Sequence, residues 1–442
     1  MSDQVTASNT FEVLRRHILV DGFPIVVDLE KSRGCHLVDQ NTGKTYFDFF
    51  SFYASNPIGI NHPRMNDKEF EKTLLKCAKI KPVLADVYTP EYAEFVQKFA
   101  QMAGRGHFTK YFFIEGGALA NENALKAAFD WKVRKNIANG KGEKGSKVIH
   151  FEQAFHGRSG YTMSLTNTDP KKIMYFPKFD WPRISNPKLS FPITPQVLKD
   201  VAILEKKALE QIDKAFEQYP DEIACIIIEP IQSEGGDNHF RAEFLQTLRK
   251  LCDEREALLI FDEVQTGFGM TGTFWAFENL GVKPDILSFG KKAQVGGIAT
   301  TERINEVDSV FKVSSRINST FGGNLTDMVR CTQYLKIIEE ENLAKNAEVQ
   351  GQYILNQFEK LSKKFPQMTN IRGKGLIVAF DLPTSQERDN YRRTAWDLGL
   401  LVLSCGDHSI RLRPVLDIRK EDIDEALILF EATFKKLQGS ST

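Results

Sequence analysis

Short apolar runs alternate with amphipathic stretches through the middle of the chain, and this alternation restricts the fold more than any other feature. The runs are four or five residues long, as expected of buried strands, and the stretches between them have helical spacing of apolar residues. Strands that alternate with such helices indicate parallel strands joined by crossover helices. The predicted strands are residues 111–114, 147–151, 224–228, 258–261 and 286–289, and the predicted helices are residues 118–135, 198–219 and 242–256. The sequence therefore predicts an α/β fold with a mainly parallel sheet between helices.

The length of the chain and the pattern near its C-terminus predict two domains. A chain of 442 residues is too long for one hydrophobic core. From Thr326 onward a long helical pattern leads away from the predicted sheet, followed by strand-like runs and a terminal helix from Lys420. We expect a large domain at residues 56–325 and a smaller α+β domain at residues 326–442, with residues 1–55 packed against the smaller domain.

Charge and cysteine usage exclude several classes of partner. The 58 basic and 58 acidic residues cancel, whereas nucleic acids and anionic membranes usually select a basic excess or a basic run. The six cysteines are scattered, without the spacing of a structural zinc site or a redox pair. The N-terminus lacks a basic region followed by an apolar core, and the apolar runs stop well short of the roughly 20 residues of a membrane span. We expect a cytoplasmic globular protein that binds no nucleic acid, membrane or metal.

Two of the predicted strands end in charged residues of opposite sign. The run 258–261 ends in Asp262, and the run 286–289 is followed by Gly290 and Lys291. Ligands of open parallel sheets collect at the carboxyl ends of the strands, so both side chains should face one crevice. Taken singly, the acid could be a helix cap and the lysine a solvated side chain. Together they fit pyridoxal phosphate, which needs a lysine for its Schiff base and a carboxylate beside its ring nitrogen.

The sequence around these strand ends resembles the class III aminotransferases, and the resemblance extends over nearly the whole chain. The matching signature is an apolar run followed by Asp-Glu-Val-Gln-Thr-Gly, then Pro-Asp-Ile, then Gly-Lys, here within residues 258–291. The resemblance implies a pyridoxal-phosphate-dependent transferase of fold type I. Such an enzyme has a large domain with a mainly parallel seven-stranded sheet between helices, and a smaller α+β domain.

The expected contacts to the cofactor's phosphate and ring faces lie in loops. Gly117 and Ala118 lie between a predicted strand and a predicted helix, so their amides could bind a phosphate at the helix N-terminus, although a plain tight turn is the other interpretation. By resemblance, Phe155 stacks on the pyridine ring and Val264 covers the opposite face. Thr320 would reach the cofactor phosphate of the neighbouring subunit, which implies a homodimer with shared active sites.

The resemblance also assigns the polar contacts of the ring. Asp262 would keep the ring nitrogen protonated, and Gln265 would hydrogen-bond the phenolic oxygen. Gln265 is also expected to be a substrate-binding residue. Lys291 would form the Schiff base and then, as a free amine, transfer the proton. Lys292 is the competing candidate, but the family places its lysine directly after a small residue, here Gly290.

Three charged residues are assigned to the substrates. A planar guanidinium binds a carboxylate through two parallel hydrogen bonds, and Arg158 is assigned to the carboxylate remote from the reacting amine. The alternative is that Arg158 pairs with a neighbouring acid. By resemblance, Glu234 pairs with Arg411 while the amino donor is bound and releases it when a dicarboxylate arrives. Arg413 is the other candidate partner of Glu234.

Longer segments resemble the lysine 6-aminotransferases in particular. They are EGGALANENALKAAFDWK, AFHGRSGYTMSLTNT, FDEVQTGFGMTG, FGKKAQVGG and RINSTFGGNLTDMVR. The implied reaction removes the terminal amine of L-lysine and gives 2-aminoadipate 6-semialdehyde, which cyclises to piperideine-6-carboxylate. The amine acceptor, 2-oxoglutarate, becomes L-glutamate.

Other activities on the same scaffold stay open at this point. A 4-aminobutyrate or ornithine aminotransferase is the alternative, because one methylene changes binding in an apolar pocket by only about 1–3 kcal/mol. Residues 51–58 are expected to line the entrance and to influence this preference. A non-catalytic relative should have lost Lys291 or Asp262, whereas a decarboxylase or an aminomutase would keep both. The Glu234 and Arg411 pair favours aminotransfer over these.

Overall fold

The structure is a computed structural model that describes residues 4–80 and 87–439. Residues 1–3 of the predicted N-terminal segment, 81–86 of the predicted large domain and 440–442 of the predicted small domain lie outside the described residues. The strands are β1 (His36–Val38), β2 (Thr45–Asp48), β3 (Lys110–Ile114), β4 (Lys147–Phe151), β5 (Arg183–Ile184), β6 (Ile223–Ile228), β7 (Ile231–Gln232), β8 (Asn238–His239), β9 (Leu258–Asp262), β10 (Ile286–Phe289), β11 (Gly296–Thr300), β12 (Thr369–Lys374), β13 (Ile377–Asp381), β14 (Leu400–Leu401), β15 (Leu403–Cys405) and β16 (Ser409–Leu412).

Helices of very different lengths separate these strands. They are α1 (Thr10–Arg15), α2 (Ser51–Ala54), α3 (Lys68–Ala78), α4 (Pro90–Ala103), α5 (Gly117–Ala138), α6 (Thr162–Leu165), α7 (Pro195–Gln218), α8 (Ala242–Glu254), α9 (Ala276–Leu280), α10 (Leu325–Glu340), α11 (Leu343–Lys364), α12 (Ser385–Asp397) and α13 (Lys420–Gly439). Within residues 4–80 and 87–439, none of the helices combines the length and the apolar character needed to cross a membrane.

The central sheet contains seven strands in the order β3-β11-β10-β9-β6-β4-β5. Every neighbouring pair from β10 to β5 is parallel, whereas β11 is antiparallel to both β10 and β3. The prediction of a mainly parallel seven-stranded sheet between helices is confirmed. Sequence reasoning missed β11, which begins with two glycines, and β5, which has only two residues.

Helices cover both faces of the sheet, and this explains why β6 is apolar throughout and β9 is apolar up to Asp262. In β9, Leu258 and Ile260 pack in one core cluster with Trp131 of α5. Leu259 and Phe261 point to the opposite face and pack in the other cluster with the apolar residues of α8. The sheet is therefore a rigid base, and the loops that follow its parallel strands lie at one edge.

The long helical pattern after residue 325 forms two helices rather than one. α10 ends at Glu340 and α11 begins at Leu343, because Asn342 between them has the left-handed conformation, with φ 52° and ψ 44°. Beyond them β12, β13, β16 and β15 form an antiparallel sheet. β14 pairs in parallel with β2 of the N-terminal segment. The boundaries between the domains remain a prediction.

Candidate active site

A cavity of about 630 Å³ lies where the loops after the central strands meet. Asp262 is the last residue of β9, and Lys291 follows β10 after one glycine. Of the predicted site residues, Thr320 does not line the cavity. Those that do are Gly117, Ala118, Phe155, Arg158, Glu234, Asp262, Val264, Gln265, Lys291 and Arg411.

The N-terminus of α5 opens into this cavity. Gly116 precedes the helix with φ 79°, a conformation that favours glycine, and the amides of Gly117 and Ala118 come before the first intrahelical hydrogen bond, Ala120 N to Gly116 O. A Cβ on Gly117 would lie 2.7 Å from Cγ1 of Val264. The start of α5 can therefore approach Val264 only because residue 117 is glycine. The free amides of Gly117 and Ala118 remain available to an anion.

The carboxylate of Asp262 is held in place by three donors. Its Oδ1 accepts from the Val264 amide at 3.0 Å, and its Oδ2 accepts from Asn121 Nδ2 at 2.7 Å and from His156 Nδ1 at 2.8 Å. Asp262, Asn121 and His156 are all buried. Sequence reasoning missed Asn121 and His156, although His156 follows a predicted site residue, Phe155, and Asn121 lies one helical turn after Gly117.

The two adjacent lysines have different surroundings. Lys291 lines the cavity and its Nζ donates to the Tyr53 carbonyl at 2.8 Å. Burial, together with the positive charge of Arg411, lowers the pKa of Lys291 to about 8. Lys292 is 2 % exposed and does not line the cavity, and its Nζ donates to the Gln265 carbonyl at 2.7 Å. Lys291 is therefore the amine that a molecule in the cavity can reach.

A buried glutamate fixes the loops on either side of the predicted ring position. Glu229 Oε1 accepts from the Phe155 amide at 2.9 Å, and its Oε2 accepts from the Ser233 amide at 3.1 Å. Burial raises the pKa of Glu229 to about 7. Sequence reasoning gave Glu229 no role, because a single acid after a strand carries no signal that would identify one.

Glu234 lies between two cations at the wall of the cavity. Its Oε2 accepts from Arg411 Nη2, and its Oε1 accepts from Lys172 Nζ at 2.6 Å. Burial would raise the pKa of Glu234, but the charges of Arg411 and Lys172 lower it to about 2. Arg411 is 1 % exposed. Lys172 was not predicted, because its contact with Glu234 bridges 62 positions of the sequence.

Arg413, the other candidate partner of Glu234, is paired elsewhere. Its guanidinium forms two hydrogen bonds with Asp237, and both side chains are fully buried. Its Nε also donates to Gln265 Oε1 at 2.9 Å. The pairing of Glu234 with Arg411 is therefore the one that the structure contains, and Arg413 holds the side chain of Gln265.

Arg158 and Thr320 are both exposed in the structure. Arg158 lines the cavity and is exposed, and within residues 4–80 and 87–439 it makes no ion pair. Thr320 is exposed on the loop before α10, next to Phe321, whose side chain is 52 % exposed. The assigned roles of both residues remain predictions.

One group of side chains outside the cavity has the composition of a metal site. Cys35, His36 and Asp422 place their ligand atoms within 4.8 Å of one another beside a separate cavity of about 1020 Å³. Arg419 already donates to both carboxylate oxygens of Asp422, at 2.9 and 3.0 Å. A cation would have to compete with that arginine.

The groups in the active-site cavity fit pyridoxal phosphate. The start of α5 offers amides to a phosphate, Asp262 is fixed as an acceptor for a protonated ring nitrogen, and Lys291 is a reachable amine. Gly290 adds a close approach, because a Cβ there would lie 3.3 Å from the Gly117 Cα. These glycines keep the wall between the phosphate region and the lysine free of side chains.

Comparison with known proteins agrees with this reading of the cavity. The sequence profile described as Aminotransferase class-III matches residues 20–434. An L-lysine-epsilon aminotransferase of Mycobacterium tuberculosis is 50 % identical over 426 residues, which are 96 % of this chain and 94 % of the relative. The solved structure of the lysine aminotransferase from M. tuberculosis in the internal aldimine form matches with a TM-score of 0.95 and 49 % identity, covering 97 % of this chain and 99 % of that one. A mitochondrial 4-aminobutyrate aminotransferase of Homo sapiens is 30 % identical over 95 % of this chain and 87 % of the relative. The chain therefore belongs to the class III aminotransferases, enzymes that use pyridoxal phosphate.

Proposed function

We propose that this aminotransferase takes the terminal amine of L-lysine and passes it to 2-oxoglutarate. The products are 2-aminoadipate 6-semialdehyde, which cyclises to piperideine-6-carboxylate, and L-glutamate. The observation that carries the proposal is the ion pair between Glu234 and Arg411 in a cavity that Arg158 also lines. The names of the relatives that are about half identical support lysine as the donor.

The residues of the cavity divide the work of the reaction. Bound pyridoxal phosphate supplies an electron sink for the carbon that loses its proton. The Gly117 and Ala118 amides would bind its phosphate, and Asp262 would keep its ring nitrogen protonated. Phe155 and Val264 would contact its ring. These assignments rest on the positions of the residues in the cavity and on the resemblance.

Lys291 is assigned both the attachment of the cofactor and the proton transfer. An amine with a pKa of about 8 is neutral in about a tenth of the molecules at pH 7, whereas an ordinary lysine is neutral in fewer than about one in a thousand. A neutral amine can accept the proton from the donor carbon and return it elsewhere. The Oε1 of Gln265 accepts from Arg413, so its amide nitrogen would be the atom that donates to the cofactor's phenolic oxygen.

The charged residues choose the orientation of each substrate. Arg158 binds the α-carboxylate of lysine, so that the ε-amine is presented to the reacting centre. Glu234 meanwhile neutralises Arg411, which would otherwise attract that carboxylate to the wrong place. When 2-oxoglutarate enters, Glu234 releases Arg411, which then binds the carboxylate next to the keto group.

Donor length distinguishes the proposal from its nearest alternative, a 4-aminobutyrate or ornithine aminotransferase. All of these donors present a terminal amine, and discrimination by chain length is worth only about 1–3 kcal/mol per methylene. The identity of 50 % to a lysine enzyme against 30 % to a 4-aminobutyrate enzyme favours lysine. The side chain of Tyr53, which lines the cavity and lies in the predicted entrance segment, is placed to influence this preference.

The proposal includes a cytoplasmic homodimer. Thr320 is exposed on its loop and would complete the phosphate site of a second copy, and the exposed Phe321 beside it is suited to an apolar contact between subunits. The six cysteines are free and buried, as expected in a reducing compartment.

A donor panel tests the function. We would measure L-glutamate formed from 2-oxoglutarate with L-lysine, L-ornithine or 4-aminobutyrate, and identify the lysine product by its cyclised imine. We expect the highest kcat/KM with lysine, and no release of carbon dioxide. A higher kcat/KM with ornithine or 4-aminobutyrate would overturn lysine as the donor, and carbon dioxide without glutamate would indicate a decarboxylase.

A further inference from the structure

We infer that Lys172 is a positioning residue that receives the Glu234 carboxylate when Arg411 is given up to a dicarboxylate substrate. The inference rests on the proposed function, because it concerns how one site accepts first a terminal amine and then 2-oxoglutarate. It adds a residue that neither the sequence pattern nor the known chemistry of the cavity had assigned.

The two oxygens of Glu234 are divided between two cations. Oε2 is bound by Arg411, whose side chain is 1 % exposed, and Oε1 is bound by Lys172 Nζ at 2.6 Å. Lys172 and Glu234 each have 26 % of their side chains exposed, so their pair lies on the side of the cavity nearer to solvent. The carboxylate therefore has a second partner in place before Arg411 leaves it.

The backbone around Glu234 is fixed, so only the side chain can move. The Glu234 carbonyl accepts from the Gly406 amide at 3.0 Å, and the preceding Ser233 amide donates to Glu229 Oε2 at 3.1 Å. Gly235 lies against the Gln153 carbonyl, where even a Cβ would clash. A rotation of the Glu234 side chain toward Lys172 is the movement that these contacts leave free.

Lys172 is itself held near this position. It ends a single turn, residues 170–172, in which the Asp169 side chain accepts from the Lys171 amide at 2.9 Å. Its Nζ lies 5.4 Å from the centre of the Phe155 ring, within reach of a cation–π contact. The ammonium is thus placed between the ring and Glu234 by contacts on two sides.

The second partner lowers the cost of opening the ion pair. A mostly buried carboxylate without a partner is strongly disfavoured, whereas one that keeps a charge-assisted hydrogen bond is not. With Lys172 present, Glu234 keeps such a bond after it has released Arg411 to the substrate. Without Lys172, Glu234 would compete more strongly with the dicarboxylate for Arg411.

The test measures binding of glutarate, a dicarboxylate without a keto group, to the cofactor-loaded enzyme by isothermal titration calorimetry. We expect Lys172→Met to weaken glutarate binding on the order of tenfold, the effect of losing one charge-assisted hydrogen bond. Lys172→Arg, which keeps the charge, should restore most of the affinity. Lys171→Met is the matched control, because Lys171 is exposed and its side chain has no contact with Glu234 within the described residues.

A second comparison, in a Glu234→Gln protein, distinguishes an effect of Lys172 through Glu234 from direct attraction of glutarate by Lys172. In Glu234→Gln, which has no carboxylate to be received, Lys172→Met should change glutarate affinity by less than about threefold. An equal loss in both backgrounds would overturn the inference, as would an unchanged affinity in Lys172→Met alone. Thermal unfolding and the cofactor's absorbance identify variants that fail to fold. Glutarate binding needs no amino donor. The binding result can therefore be interpreted even if the donor panel shows that lysine is not the donor.

Discussion

Gly117→Ala probes the closest backbone approach in the predicted phosphate site. The added Cβ would lie 2.7 Å from Cγ1 and 3.2 Å from Cγ2 of Val264, where ordinary carbon contacts are about 3.5–4.0 Å. Either Val264 or the start of α5 has to shift. Both are expected to contact the cofactor, so we expect the substitution to weaken cofactor binding.

Two opposing effects decide the size of the change. Overpacking of this kind costs about 1–3 kcal/mol, whereas replacing glycine with alanine in a helix stabilises folding by up to about 1 kcal/mol. The second effect acts on folding and cancels in a comparison of free and cofactor-bound protein. If Val264 or the start of α5 shifts out of its binding position to relieve the overpacking, the cofactor dissociation constant should rise about 5- to 150-fold.

The assay is the cofactor dissociation constant of four proteins: the wild type, Gly117→Ala, Val264→Ala and the double variant. Removing both Cγ atoms leaves the new Cβ only the ordinary contact of 3.6 Å with the Val264 Cβ, so Gly117→Ala should cost less than about threefold in the Val264→Ala background. Gly160→Ala is the control, since a Cβ there would have no neighbour closer than 3.9 Å. If the two substitutions weakened cofactor binding independently, their fold increases in dissociation constant would multiply in the double variant. That result would refute the steric argument.

Other perturbations test neighbouring parts of the site. Lys291→Ala should fold and form no glutamate, whereas surviving turnover would move the role to Lys292; Lys292→Met should instead lower the midpoint of thermal unfolding, because the two carbonyls that its buried amine donates to lose their donor. Asp237→Asn should cost about 3–5 kcal/mol of stability, since it leaves the fully buried Arg413 without its counter-charge, and an unchanged unfolding midpoint would contradict this. Burial and Arg411 lower the pKa of Lys291 to about 8, so its neutral fraction grows as the pH rises through 8. Capture of pyridoxal phosphate by the cofactor-free protein should therefore accelerate with a midpoint near pH 8, and a midpoint near pH 10 would count against it.

Local patterns predicted the central strands well because burial on both faces selects short runs that are mostly apolar. The runs 147–151 and 286–289 match β4 and β10 at both ends. β11 was missed because its Gly-Gly start resembles a turn, and it becomes a strand only through its pairing with β3 and β10. The long helical pattern after residue 325 was divided by a single left-handed residue, Asn342, which helical spacing does not reveal.

The resemblance identified residues by their motif, and the structure identified their partners. Glu234 with Arg411 was predicted, and the structure contains that pair. Lys172 was not predicted, because neither a periodicity nor a motif distinguishes it from other loop lysines that are exposed to solvent. Asn121 and His156 lie in segments that carry the resemblance, but their role of holding Asp262 depends on contacts between distant segments.

The sequence by itself determined the class of fold, the cofactor chemistry and the family. The class of fold follows from apolar runs of strand length, and the charged residues directly after two of these runs indicated the cofactor chemistry. The family was implied by the resemblance of the motifs around those strands, and none of these inferences needs knowledge of a distant contact. Only the tertiary structure decided which of two adjacent lysines faces the cavity and which of two nearby arginines meets Glu234. It also supplied the second cation, Lys172, at that carboxylate. Such choices depend on which way a side chain points and on what lies across the cavity, and both are set by packing between segments far apart in the chain.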